Sequence, residues 1–138
     1  MAIAAMWCVS CSKDDDDKDP LNGEGGEGVI TMVAKTNRIE GVYVYSFKEG
    51  ETITIDWGDG TIEEFKTYAY YDMYDVYYQI DTGHSYSNNT PHTIKIKGSI
   101  KELSCYYNNL TSLDVSGCTA LTYLGCPYNT YLTSLDVS

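Results

Sequence analysis

Between residues 28 and 98 apolar and polar positions alternate with period two, which predicts β-strands. The alternation marks strands over 28–34, 41–47, 52–57, 61–65 and 93–97, with Lys95 and Lys97 on a solvent face. Gly58-Asp59-Gly60 interrupts the third and fourth of these and predicts a tight antiparallel turn, because glycine tolerates positive φ. After residue 98 the pattern changes. Ile100-x-x-Leu103-x-Cys105-x-x-Asn108-x-Leu110 returns as Leu121-x-x-Leu124-x-Cys126-x-x-Asn129-x-x-Leu132, starting 21 residues on, and Thr111-Ser112-Leu113-Asp114-Val115-Ser116 returns at 133–138. A period in the twenties predicts a solenoid that stacks strands.

In each copy Leu103, Cys105 and Leu110, or their counterparts, are predicted to point inward. Short strands are expected at 102–105 and 123–126, with Ser104 and Gly125 as their exposed positions, and turns or short helical pieces over 113–120. The second copy has one residue more between its Asn and the following Leu, which predicts a bulge. Two copies fall short of the roughly three that make a stack stable alone. The chain therefore reads as a fragment of a longer protein, with the strand-rich part covering the apolar end of the repeats.

Charge narrows the partners. Twenty acidic and 9 basic residues give −11. That disfavours nucleic acid and direct attraction to anionic lipid, both of which need a positive face. Residues 13–27 carry seven acids and two bases, so the remaining body is only mildly acidic. Of the five cysteines, Cys105 and Cys126 share one repeat position; there they read as small buried hydrophobes, since parallel Cβ vectors suit a disulfide poorly.

Residues 1–9 form an apolar run too short to span a bilayer as a helix. It fits the apolar part of a secretory signal. Val9-Ser10-Cys11-Ser12 resembles a bacterial lipobox, which implies acylation of Cys11. The acidic run that follows at 13–19 resembles a surface-export signal of bacterial lipoproteins, and 21–28 reads as a flexible spacer. Asp14 to Lys18 also spells the enteropeptidase recognition sequence, so a tag is the alternative reading. Residues 1–11 are thus expected as signal and lipobox, and 12–28 as an acidic, Gly-rich tether.

Asp56-Trp57-Gly58-Asp59-Gly60-Thr61, then His84-Ser85-Tyr86, then His92-Thr93-Ile94-Lys95-Ile96 resemble the polycystic kidney disease (PKD) domain over residues 29–98. The resemblance implies an immunoglobulin-like β-sandwich in which Asp56, Trp57, Asp59 and His84 are structural. Asp56 would cap the turn, and His84 would anchor the last strand by a side-chain-to-backbone bond. Residues 66–81 have no counterpart in that family. The repeats at 99–138 resemble leucine-rich repeats, whose ladder asparagine, here Asn108 and Asn129, bonds backbone groups in the turn. The order lipobox, acidic tether, sandwich, repeats resembles large bacterial surface lipoproteins. The expected fold is mainly β: an immunoglobulin/PKD-like sandwich followed by the start of a leucine-rich repeat solenoid.

No catalytic order of Ser, His and Asp, no H-E-x-x-H, no phosphate-binding loop and no G-x-G-x-x-G occurs. No enzyme, cofactor or metal site is expected. Binding residues are sought among tyrosines, which give flat contact area at low entropic cost. Tyr106, Tyr107 and Tyr128 flank the repeat strands, and Tyr70, Tyr71 and Tyr74 belong to the tyrosine-rich stretch 68–78. The expected function is a non-catalytic, lipid-anchored protein of the bacterial outer membrane, exposed at the cell surface and binding a protein or glycan through its repeats. The alternative is a carbohydrate-binding accessory module that uses the 68–78 cluster.

Overall fold

A computed structural model describes residues 27–138. The lipobox with Cys11, and the acidic tether up to residue 26, lie outside the described residues. All regular structure among them is strand: β1 Gly28–Lys35, β2 Arg38–Ser46, β3 Thr52–Asp56, β4 Ile62–Lys66, β5 Tyr68–Tyr71, β6 Val76–Ser85, β7 Pro91–Gly98, β8 Glu102–Cys105, β9 Leu110–Asp114, β10 Tyr123–Gly125 and β11 Ser134–Asp136. They form two mixed sheets, a six-stranded one in the order β11-β9-β1-β7-β3-β4 and a five-stranded one in the order β10-β8-β2-β6-β5. The inward faces share one core, the arrangement of a β-sandwich.

Alternation dictates that core. In β7 every second residue, His92, Ile94, Ile96 and Gly98, is buried, while Lys95 and Lys97 face out. Ile30 and Met32 of β1, Ile53 and Ile55 of β3, Val42 and Val44 of β2, and Leu103 of β8 complete the filling, all nearly or wholly inaccessible. Cys105, Cys118 and Cys126 are free buried thiols in the same core. Burial raises all three, and pushes Cys118 up to about 11, so they stay protonated and inert at neutral pH.

Both sheets run without a break past residue 98. After β7 the chain crosses to the five-stranded sheet as β8, which pairs antiparallel with β2. It returns to the six-stranded sheet as β9, antiparallel with β1. The next winding lays β10 parallel on β8 and β11 parallel on β9. Residues 113 and 114, expected outside any strand, thus lie in β9, and no helix forms over 113–120. A register shift in the β1–β9 pairing skips Thr111, which allows Leu110 and Leu113 both to face inward despite their spacing of three.

The extra residue of the second copy is absorbed in the turn before β11. Leu124 pairs with Leu103, an offset of 21, whereas Leu135 pairs with Leu113, an offset of 22. Gly125, expected to be exposed, is buried: a Cβ there would meet the Tyr123 ring at 3.0 Å.

A side-chain amide joins the windings to the preceding strands. The β2–β6 pairing shifts register between Ile39 and Val42, which takes Glu40 out of that ladder. Asn108, only 1% exposed, supplies the missing partners. The Glu40 amide donates to its Oδ1 at 2.8 Å, and its Nδ2 donates to the Glu40 carbonyl at 2.8 Å. Asn129 repeats the arrangement one winding on. Its Oδ1 accepts from the amides of Asn108 (3.0 Å) and Leu110 (3.1 Å), and its Nδ2 donates to the Cys105 carbonyl (2.9 Å).

Asn108→Ala would leave one donor and one acceptor of Glu40 without partners. It is expected to lower the unfolding free energy by about 2–4 kcal/mol, read from urea denaturation. A loss under about 0.5 kcal/mol would show that water replaces the amide at no cost.

Candidate binding surface on the five-stranded sheet

The outer face of the five-stranded sheet is paved with tyrosines because β2 reads Val42-Tyr43-Val44-Tyr45, with the valines inward and the tyrosines outward. Register aligns a row across all five strands. Tyr123 stands beside Glu102, Glu102 beside Tyr45, Tyr45 beside Gln79, and Gln79 beside Tyr68. With strands about 4.8 Å apart, successive tyrosines in this row lie about 10 Å apart. Tyr70 and Tyr77 pair directly in the adjacent row.

A groove of about 340 Å3 runs along this face, lined by Tyr45, Tyr70, Tyr77, Tyr123, Gln79, Ser104 and the carboxylates of Asp72 and Glu102. Tyr45 and Tyr77 meet edge to face at 6.0 Å. The β5–β6 turn is built by Asp72, whose Oδ1 accepts from the amides of Tyr74 (2.7 Å) and Asp75 (2.8 Å). Those two bonds hold the Asp72 carboxyl below its usual range. The field of Asp72, reinforced by burial, Asp75 and Glu102, raises the Tyr77 phenol. Tyr45 is raised by burial first and by Glu102 next.

A second aromatic run adjoins the groove. Tyr43 stacks on Tyr106 (5.9 Å), Tyr106 meets Tyr107 edge to face (6.1 Å), and Tyr107 stacks on Tyr128 (4.4 Å, interplanar angle 3°). The hydrogen bond shared with the Tyr106 hydroxyl, with burial, pushes the Tyr43 phenol up to about 12. Tyr107 and Tyr128 occupy equivalent repeat positions, and both hold left-handed backbone, φ 58° and 60°. For a bulky side chain that conformation costs on the order of 1 kcal/mol or more. Each precedes a buried Asn. Asn129 holds its turn by donating Nδ2 to the carbonyls of Cys126 (3.2 Å) and Pro127 (3.4 Å).

Six tyrosines were singled out by sequence. Tyr106, Tyr107 and Tyr128 come together in this aromatic run, and Tyr70 lines the groove. Tyr71 and Tyr74 stand at the projecting end of the β5–β6 hairpin and do not line it. Sequence reasoning missed Tyr43, Tyr45, Gln79, Glu102 and Tyr123, whereas Tyr77 falls within the stretch 68–78 named for the carbohydrate reading. The signal for the first two was present, since alternation in β2 puts both on the face opposite its valines.

The motif residues form a separate cluster where the turn between β3 and β4 meets the end of β6. Asp56 accepts from the Gly58 amide at 2.9 Å and Asp59 from the Thr61 amide at 3.0 Å, capping the turn. Gly58 has φ 82° and faces the Thr93 carbonyl so closely that a Cβ would lie 2.2 Å from its oxygen. Trp57 is fully buried and donates its indole N–H to Glu63 at 2.6 Å. His84 stacks on Trp57 (4.9 Å) and bonds Asp59 Oδ2 through Nε2 at 2.7 Å. The side-chain-to-backbone anchor expected at His84 is made two residues later, where the Tyr86 hydroxyl donates to the Trp57 carbonyl at 2.7 Å. His84 instead ties β6 to the turn between β3 and β4.

Comparison with protein-family models, curated proteins and solved structures returns no match to this chain.

The His84 bond, with those from Thr61, lowers the Asp59 carboxyl from 3.8 to about 2. A carboxyl depressed on folding stabilises the native state above its unfolded pKa, and the contribution disappears as pH falls through the folded value. The advantage of the native protein over Asp59→Asn in urea midpoint is expected to be full near pH 5 and to close by about pH 2. An advantage unchanged across that window would rule out the carboxylate as its source.

Proposed function

We propose that this chain is a non-catalytic binding segment of a lipid-anchored bacterial cell-surface protein. In this reading residues 29–98 are a PKD-like stalk, and residues 99–138 begin a leucine-rich repeat array that carries the ligand-binding surface. The carrying observation is that tyrosines from β2, from the β5–β6 hairpin and from the repeats share the outer face of one sheet. Rigid, amphipathic rings on a hydrogen-bonded sheet lose little freedom on binding, which is what recognition surfaces require.

The seams support a capping role for the stalk. β2 and β1 supply the backbone partners of β8 and β9, and Glu40 takes the place of a preceding rung for Asn108. Parallel stacking of β10 on β8 and β11 on β9, with Asn129 in register, supports the repeat reading. Anchoring through Cys11 rests on the sequence resemblance alone. A carbohydrate ligand is the second reading, favoured by the groove's combination of flat rings with Gln79, Ser104 and carboxylate acceptors.

The test is binding of the whole chain to arrays of extracellular proteins and oligosaccharides, with Tyr107→Asn/Tyr128→Asn as the variant. Asparagine tolerates the left-handed backbone, so the fold is preserved. Protein ligands are expected, with affinity falling about tenfold or more in the variant. Unchanged binding in the variant would remove the repeat tyrosines from the site, and binding to oligosaccharides alone would replace this reading with the second.

A further inference from the structure

We propose that the groove on the outer face of the five-stranded sheet receives a cationic side chain, an arginine or lysine on a basic segment of a partner protein. This rests on the binding function above and specifies its chemistry.

The groove supplies both elements of cation recognition. Its walls are aromatic: Tyr45 and Tyr77 meet at 72°, and Tyr70 lies across from Tyr77 on the neighbouring strand. A guanidinium or ammonium over such faces is attracted by the ring quadrupole. Two carboxylates belong to the lining, Glu102 beside Tyr45 and Asp72 at the hairpin turn, and no Lys, Arg or His does. Lys101 Nζ stands 3.9 Å from Glu102 Oε1, an ion pair beyond hydrogen-bonding distance. Asp72 and Glu102 both line the groove with Tyr77, so its field is negative. The same field repels phosphate, sulfate and uronic acids, whereas a neutral sugar gains nothing from its charge. The volume, about 340 Å3, lies at the small end of ligand sites and leaves room for one long side chain.

Titration calorimetry of the full chain with tetra-arginine amide, and separately with cellotetraose, tests this at low ionic strength. Saturable binding of the peptide is expected, weakened about tenfold by Glu102→Gln and by Tyr70→Ala. It should be unchanged by Glu64→Gln, which removes an exposed charge on β4 of the other sheet. An equal loss in Glu64→Gln would reduce the effect to overall acidity and overturn the proposal. Cellotetraose binding that Tyr70→Ala abolishes, without peptide binding, would assign the groove to sugar and overturn it too. If a protein ligand of the whole chain is lost in Tyr107→Asn/Tyr128→Asn but kept in both groove variants, the binding function stands and the cation site falls.

Discussion

A bulge in β2 leaves the amide and carbonyl of Glu40 outside the strand ladder, and the side-chain amide of Asn108 takes both. Much of the second half of the fold depends on that exchange. It fixes the height at which the first winding meets the sandwich, so that β8 lies against β2 and β9 against β1 in the same pass. Asn129 then uses the backbone of the first winding as Asn108 uses Glu40. The Asn129 rung satisfies buried polar groups and the Asn108 rung part-buried ones, and so each specifies where the next winding can sit.

The same turns set the exposed aromatic surface. Left-handed backbone at Tyr107 and Tyr128 aims two large rings outward, where they stack on each other, 66% and 57% exposed. The amide rungs immediately after them offset that local strain. Rigidity in the polar interior and display of aromatic surface are therefore two sides of one turn. On the sheet itself the pleat does the sorting: valines of β2 enter the core while Tyr43 and Tyr45 join tyrosines from β5, β6 and β10 outside.

Much of this was legible in the sequence where a single period held. β1, β3, β7 and β8 follow period-two alternation, and the Gly58-Asp59-Gly60 turn follows from the positive φ that its glycines adopt, 82° and 90°. The inward Leu103, Cys105 and Leu110 and the asparagine bonds followed from the repeat. The β5–β6 hairpin was not legible. β5 buries nothing fully, and β6 departs from alternation by burying both Gln79 and Ile80, so neither shows a clean pattern. β9 was missed because its bulge at Thr111 spaces the inward leucines by three. The groove escaped notice because its lining comes from strands far apart in sequence, and only register brings Glu102 beside Tyr45.

Through the β1–β9 and β2–β8 seams the sandwich and the windings should unfold as one cooperative unit. Native-state hydrogen exchange on residues 27–138 tests it most directly. Amides of Leu103, Leu110 and Leu113 are expected to exchange with the same free energy as those of Val44 and Ile96, by global unfolding. Exchange of the former at a free energy several kcal/mol lower, with the β1, β2 and β7 amides still protected, would show a detachable appendage and contradict the claim.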